Sequence, residues 1–167
     1  MIRRRHSDGR INSEAVYSDC ETYRYALTRV WDRTAPRLLW IMLNPSTATE
    51  MANDPTLHRC QLRAKRMGYG SIRIANLFAF RATSPAALKR ATDPFGPGNP
   101  AALETALNWT TDILLAWGVH GAHLDAGPAF LTSLSQRRKP RLHLGLTKDG
   151  HPRHPLYISY SVLPQPF

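Results

Sequence analysis

From Leu38 to Leu43 the chain is apolar without a break (LLWIML), and it then meets Asn44-Pro45. A run of this length and composition keeps no polar side for water, which is the mark of a strand buried on both faces. Pro45 has no N–H to give to a ladder, so the strand Arg37–Leu43 stops there. A strand buried on both faces needs cover above and below, and the chain must return to it by crossovers. That requirement narrows the fold before any other residue is considered.

Three more segments read as buried strands: Ser71–Phe80 (SIRIANLFAF), Asp112–Trp117 and Arg141–Leu146 (RLHLGL). Helical signals alternate with them. Asp54-Pro55 pairs a capping carboxylate with a proline suited to the first helical position, which predicts a helix over Pro55–Met67. Leu57, Leu62 and Ala64 would point inward, and Arg59, Arg63 and Arg66 would form a wet basic face. Ser84-Pro85 opens a short helix over Ala86–Arg90, and Asn99-Pro100 starts another that reaches about Trp109. A further helix is predicted over Pro128–Arg138, its basic end complementing the helix dipole. Thr92–Pro100 and Thr147–Pro155 are dense in Gly and Pro and read as long loops. Tyr23–Trp31 alternates polar and apolar residues, as a half-exposed antiparallel edge strand would. The expected fold is a three-layer α/β/α sandwich around a central, mostly parallel, four-stranded sheet. At 167 residues it makes one domain, residues 13–167, behind a loose basic arm at residues 1–12.

A composition of 43% hydrophobic and 20% charged residues excludes wholesale disorder. No apolar run approaches the ~20 residues of a bilayer span. Arg3-Arg4-Arg5 is followed by no apolar stretch, so it begins no signal peptide. Cys20 and Cys60 read as two reduced thiols, and the expected location is cytoplasmic. Lys and Arg outnumber Asp and Glu by 22 to 12, a net charge of +10. Such an excess attracts polyanions, nucleic acid among them, or simply keeps a protein soluble.

In open sheets of this kind, ligands lie beyond the carboxyl ends of the strands. Those ends carry Asn44-Pro45-Ser46-Thr47, Phe80-Arg81-Ala82-Thr83, Trp117-Gly118 and Thr147-Lys148-Asp149-Gly150. Turns need polar residues anyway, but four such clusters on one edge argue for a pocket. The phosphate-loop, dinucleotide and nucleophile-elbow motifs are absent, which disfavours a P-loop kinase, a Rossmann dehydrogenase and an α/β-hydrolase. His143, His151, His154 and Asp149 match no zinc spacing, and neither a metal nor an organic cofactor is expected.

The set Leu43–Ala48, Asp54-Pro55-Thr56, Asn76–Thr83, Trp117-Gly118 and Gly145–Lys148 with His154–Tyr157 resembles a bacterial family labelled only as a domain of unknown function. The resemblance runs from about Tyr23 to Tyr157. A more distant one, confined to motifs, is to the uracil-DNA glycosylase superfamily. Ile41–Pro45 resembles its first motif, whose Asn places the attacking water, which implies that role for Asn44. Ile74–Leu77 resembles the strand whose Asn reads the base edge, so Asn76 would be the reader. His154-Pro155 resembles its late motif, whose His supports the departing base. Met42, Ser46 and Leu156 depart from that pattern, and no acidic residue follows the first strand directly. Asp54 would have to supply a carboxylate, unless it only caps its helix.

Other candidates each have a plain structural alternative. Ser46, Thr47, Thr83 and Thr147 either bind a ligand or close turns. Phe78 and Trp117 either stack on a base or pack in the core. Arg81, Lys148 and His151 either hold phosphate or stay solvated. The leading expectation is a nucleobase- or nucleic-acid-directed enzyme, with N-glycosidic hydrolysis as its reaction. The rivals are a non-catalytic nucleic-acid- or nucleotide-binding module and an enzyme for a small anionic metabolite.

Overall fold

A computed structural model describes all 167 residues. Eight strands form one sheet: β1 (Ile2–Ser7), β2 (Asn12–Tyr17), β3 (Arg24–Val30), β4 (Arg37–Met42), β5 (Ser71–Asn76), β6 (Asp112–Leu115), β7 (Arg141–His143) and β8 (Gln165–Pro166). Their order is β1-β2-β3-β5-β4-β6-β7-β8. The β4–β5, β4–β6 and β6–β7 pairings are parallel, and the other four are antiparallel. This mixed sheet overturns the expected four-stranded, mostly parallel sandwich, and with it the glycosylase-like fold.

The fully apolar run behaves as its composition requires. Leu38, Leu39, Trp40 and Ile41 have no exposed surface, and β4 lies between β5 and β6. Successive side chains of β4 feed opposite faces. Leu38, Trp40 and Met42 pack with Leu57, Cys60 and Ala64 of α1 (Pro55–Arg66). Leu39 and Ile41 pack on the other face with Leu88 of α2 (Pro85–Arg90), Ala106 and Leu107 of α3 (Asn99–Trp109) and Phe130 of α4 (Ala126–Ser133). No helix is long and apolar enough to cross a membrane.

The amino-terminal residues expected to be a loose arm instead form β1. Its side chains are almost all exposed, so burial does not explain the strand. What holds it is the ladder to β2, together with Arg3 and Arg5, which both bond the Glu14 carboxylate at 3.1 and 2.9 Å. Because β2 and β1 extend the sheet, β3 is an interior strand, and its polar Arg24, Thr28 and Arg29 are buried rather than half exposed. The strand beginning at Ser71 ends at Asn76, short of Phe80. Beyond it Leu77 and Phe78 donate to Met42 and Leu43 carbonyls, and Ala79 and Phe80 turn to bond Phe95 and Pro94.

Two expectations about basic residues are also corrected. α4 ends at Ser133, so Arg137 and Arg138 do not close it. Lys139 instead reaches α3, donating to the carbonyls of Leu107 (2.7 Å) and Thr110 (2.6 Å) at that helix's carboxyl end. A cation is favourable at that pole of the dipole. The face of α1 carrying Arg59, Arg63 and Arg66 is not simply wet. Arg63 is buried and donates to the Ile158, Ser159 and Val162 carbonyls, and Arg59 donates to those of Pro155 and Ile158. All three guanidiniums lie over the Tyr160 ring, at 4.3, 5.5 and 4.5 Å in residue order. The basic face is a clamp on the carboxyl-terminal segment.

Arg63→Met should therefore cost about 2–3 kcal/mol, the scale of lost charge-assisted hydrogen bonds. Denaturant unfolding measures that loss. Amide exchange should show residues 158–167 losing protection before the sheet does, and unchanged protection there would remove Arg63 as their tether.

Candidate functional site

The end of β4 and the end of β5 lie side by side, with Met42 paired to Asn76. Asn99, at the start of α3, fixes that position by donating from Nδ2 to the Asn76 and Leu77 carbonyls, both at 3.1 Å. After β4 the chain runs through Asn44 to Asp54 before α1 begins, and two guanidiniums of β3 hold this loop. Arg24 donates to the Ala48 carbonyl. Arg29 donates to the Thr49 carbonyl, and from Nη2 and Nε to Asn53 Oδ1 at 3.0 and 3.2 Å. Buried Glu50 accepts from the Tyr17 hydroxyl at 3.0 Å.

Held in this way, the loop folds back over the strand ends and encloses a cavity of about 70 Å³. Asn44, Ser46, Asp54, Asn76 and His154 line it, with Arg24 and Thr56, over a floor of Met42, Ile74 and Leu57. A cavity this size admits the edge of a ligand, not a whole one.

Each polar group has an identifiable vacancy or commitment. Asn44 gives both amide protons away, to Pro45 O at 3.0 Å and Ala82 O at 2.8 Å, so only its Oδ1 can serve the cavity. Asp54 Oδ1 caps α1 by accepting from Leu57 N at 2.8 Å, while Oδ2 accepts from Ala48 N at 3.3 Å. Asp54 thus caps the helix, as its position before Pro55 led us to expect, and it also lines the cavity. Asn76 is 2% exposed and its Nδ2 has no partner; Arg24 is 4% exposed and its Nε has none. Of the four buried unpaired side-chain atoms in the molecule, these two line the cavity. An orphaned buried donor costs about 1–3 kcal/mol, a cost that a bound acceptor would relieve.

Burial lowers the Arg24 guanidinium to about 10, offset in part by Tyr17 and Asp54, so it stays charged at neutral pH. Burial also holds the His154 imidazole below its ordinary 6.5, against the opposing pull of Asp54. His154 is exposed at the cavity's rim, which it lines, and its Nδ1 accepts from Leu156 N at 3.3 Å. That leaves Nε2 as the nitrogen able to exchange a proton with a ligand.

The remaining sequence candidates lie elsewhere. Pro45 is buried behind the loop, and Thr47 and Thr83 are exposed. Phe78 is core, its ring 4.8 Å from Phe95 and 5.5 Å from His123. Arg81 donates to the Glu21 carbonyl at 3.1 Å and lies over Tyr17. Trp117 packs against Phe130 and donates toward His151 Nδ1 at 3.4 Å. Gly121 approaches it so closely that a Cβ there would sit 2.1 Å from the Trp117 ring. Thr147 closes a turn with His151 N at 3.0 Å, and Lys148 is exposed. Arg24 was not singled out from the sequence, because its strand read as a half-exposed edge on which a charged residue is ordinary.

Residues 24–156 match the family described as Protein of unknown function (DUF1643), and the chain belongs to that family. No curated protein matches it, and no solved structure does. The glycosylase-type hydrolase reading rested on motif resemblance to a fold that the mixed sheet does not have, and it is withdrawn.

A His154 whose folded value is depressed contributes stability that is complete above pH 6.5 and is lost as pH falls through that lower value. An NMR titration should place the imidazole midpoint below 6.5, and His154→Asn should flatten the fall in stability on the acid side. A midpoint at or above that value would show that the cavity wall does not desolvate the imidazole.

Proposed function

We propose that this DUF1643 member recognises the polar edge of a nucleobase, in a nucleotide or a nucleic acid, at the cavity between the β4 and β5 ends. The observation that carries the reading is the unpaired, buried Nδ2 of Asn76, a residue of the cavity wall. Beside it are a second unpaired donor, Arg24 Nε, and acceptors at Asn44 Oδ1 and Asp54 Oδ2. Donors and acceptors together suit a base edge, which offers both kinds of group within a few ångströms. A phosphate offers acceptors only, and the Asp54 carboxylate would repel it.

Asn76 is then the base reader, Arg24 completes the donor set, and Asn44 and Asp54 take the ligand's N–H groups. Desolvation favours the neutral form of His154, whose Nε2 is then able to accept a proton in a base-directed reaction. A net charge of +10 favours approach of a phosphate-bearing ligand whose charged part stays outside the cavity.

Calorimetric titration with the free bases, nucleosides and nucleotides tests this directly. At least one base should bind, and Asn76→Leu should weaken it by about 1–2 kcal/mol, roughly tenfold. The same substitution replaces an unpaired donor by an apolar group of similar shape, so folding stability should hold or rise slightly. Loss of stability with unchanged binding would make Asn76 a structural amide, and no binding of any base would end the reading.

A further inference from the structure

The opposite end of the sheet, on its other face, carries an open groove of about 760 Å³. It lies where β4 and β5 begin, far from the cavity formed at the ends of these strands. Arg5, Arg33, Arg37 and Arg73 line it, against a single carboxylate, Glu14, which is already bonded by Arg3 and Arg5. Arg33, Arg37 and Arg73 have no carboxylate partner.

These cations are placed, not scattered. Arg73 donates to Thr28 Oγ1 at 3.0 Å and lies 4.4 Å from the Trp109 ring, while Arg37 lies 5.6 Å from the same ring. Trp109 thus holds two guanidiniums side by side at the carboxyl end of α3. Burial lowers Arg73 to about 10, with Arg3 and Arg37 repelling its charge and Glu14 favouring it. It remains a cation at neutral pH, half-buried among its like. Ala102 of α3 covers Val16, Tyr25 and Ala26 on this face, and the groove opens where that helix ends at Trp109.

The geometry points to this groove as a docking surface for the phosphodiester backbone of a single-stranded nucleic acid. Arg5, Arg73 and Arg37 stand on β1, β5 and β4, Arg33 lies in the turn before β4, and from β1 to β4 is four steps in the strand order. At ~4.8 Å per step that is about 19 Å, the length of several successive phosphates. The Trp109 ring is already taken by the Arg37 and Arg73 guanidiniums, so recognition is by charge and not by base stacking. The inference is independent of the base-edge cavity, since it uses none of the same residues.

The test uses fluorescence anisotropy with labelled oligothymidylate and oligouridylate of about 20 nucleotides across a salt series. Arg33→Ala with Arg37→Ala should weaken binding at least about tenfold and lower the log–log salt slope by ~1.4, the value for two lost contacts on a single strand. Lys89→Ala with Arg90→Ala on α2 removes the same charge elsewhere and should leave binding near that of the parent. Unchanged thermal unfolding of both double variants confirms that each is folded. Equal weakening by the two pairs would reduce the effect to overall charge and overturn the inference. So would failure to bind either oligomer, or capture of phosphatidylserine vesicles in place of oligomers. Displacement of the oligomer by excess nucleoside would assign the binding to the cavity instead, and would equally overturn it.

Discussion

Arg24 and Arg29 stand on an interior strand, where a guanidinium costs several kcal/mol to bury unless its N–H groups find acceptors. They find them mainly in main-chain carbonyls of the loop between β4 and α1, so the loop is shaped by the need to satisfy β3. Asn44, Ser46 and Asp54 take their positions from that arrangement. The two arginines tie residues 48, 49 and 53 to the sheet, while Asp54 and Gln61 hold Ala48 and Asn53 from the side of α1. The cavity is a consequence of charge burial in a neighbouring strand, and Arg24 retains one unpaired N–H at its wall.

How much of this was legible in the sequence follows from how local each signal was. Strand β4 declared itself because its apolar run allows one environment only. Helix α1 was readable from Asp54-Pro55, and the Asp54 side chain does bond Leu57 N. The strand-end rule brought in Asn44 and Ser46, the motif resemblance brought in Asn76 and His154, the helix-start signal brought in Asp54, and these five share one cavity. Strand β1 was illegible because three consecutive arginines look like a tail until Glu14 of the next strand is set beside them. The basic face of α1 was misread for a similar reason: its acceptors lie 95–99 residues further along the chain. The extent of the sheet was underestimated because β1 and β8 have mostly polar or exposed side chains and are defined by pairing alone.

The two concave regions differ in chemistry in a way that follows from where they sit. At the carboxyl ends of β4 and β5, donors and acceptors are mixed, enclosed and partly unpaired. At the amino ends, on the other face, cations dominate and the surface is open. An enclosed mixed site rewards hydrogen-bond complementarity, whereas an open cationic one rewards charge and is screened by salt. The same sheet thus presents a selective end and an unselective one.

The outermost strands carry one more consequence. An edge strand with free N–H and C=O groups is a template on which another chain can add itself. Here one edge is β1, with exposed arginines at three successive positions, and the other is β8, two residues long and ending in Pro166. Charge crowds the first edge and proline removes a donor from the second. Growth of the sheet by a neighbouring molecule is discouraged at both margins, so this eight-stranded sheet is protected against polymerising side by side even though it never closes into a barrel.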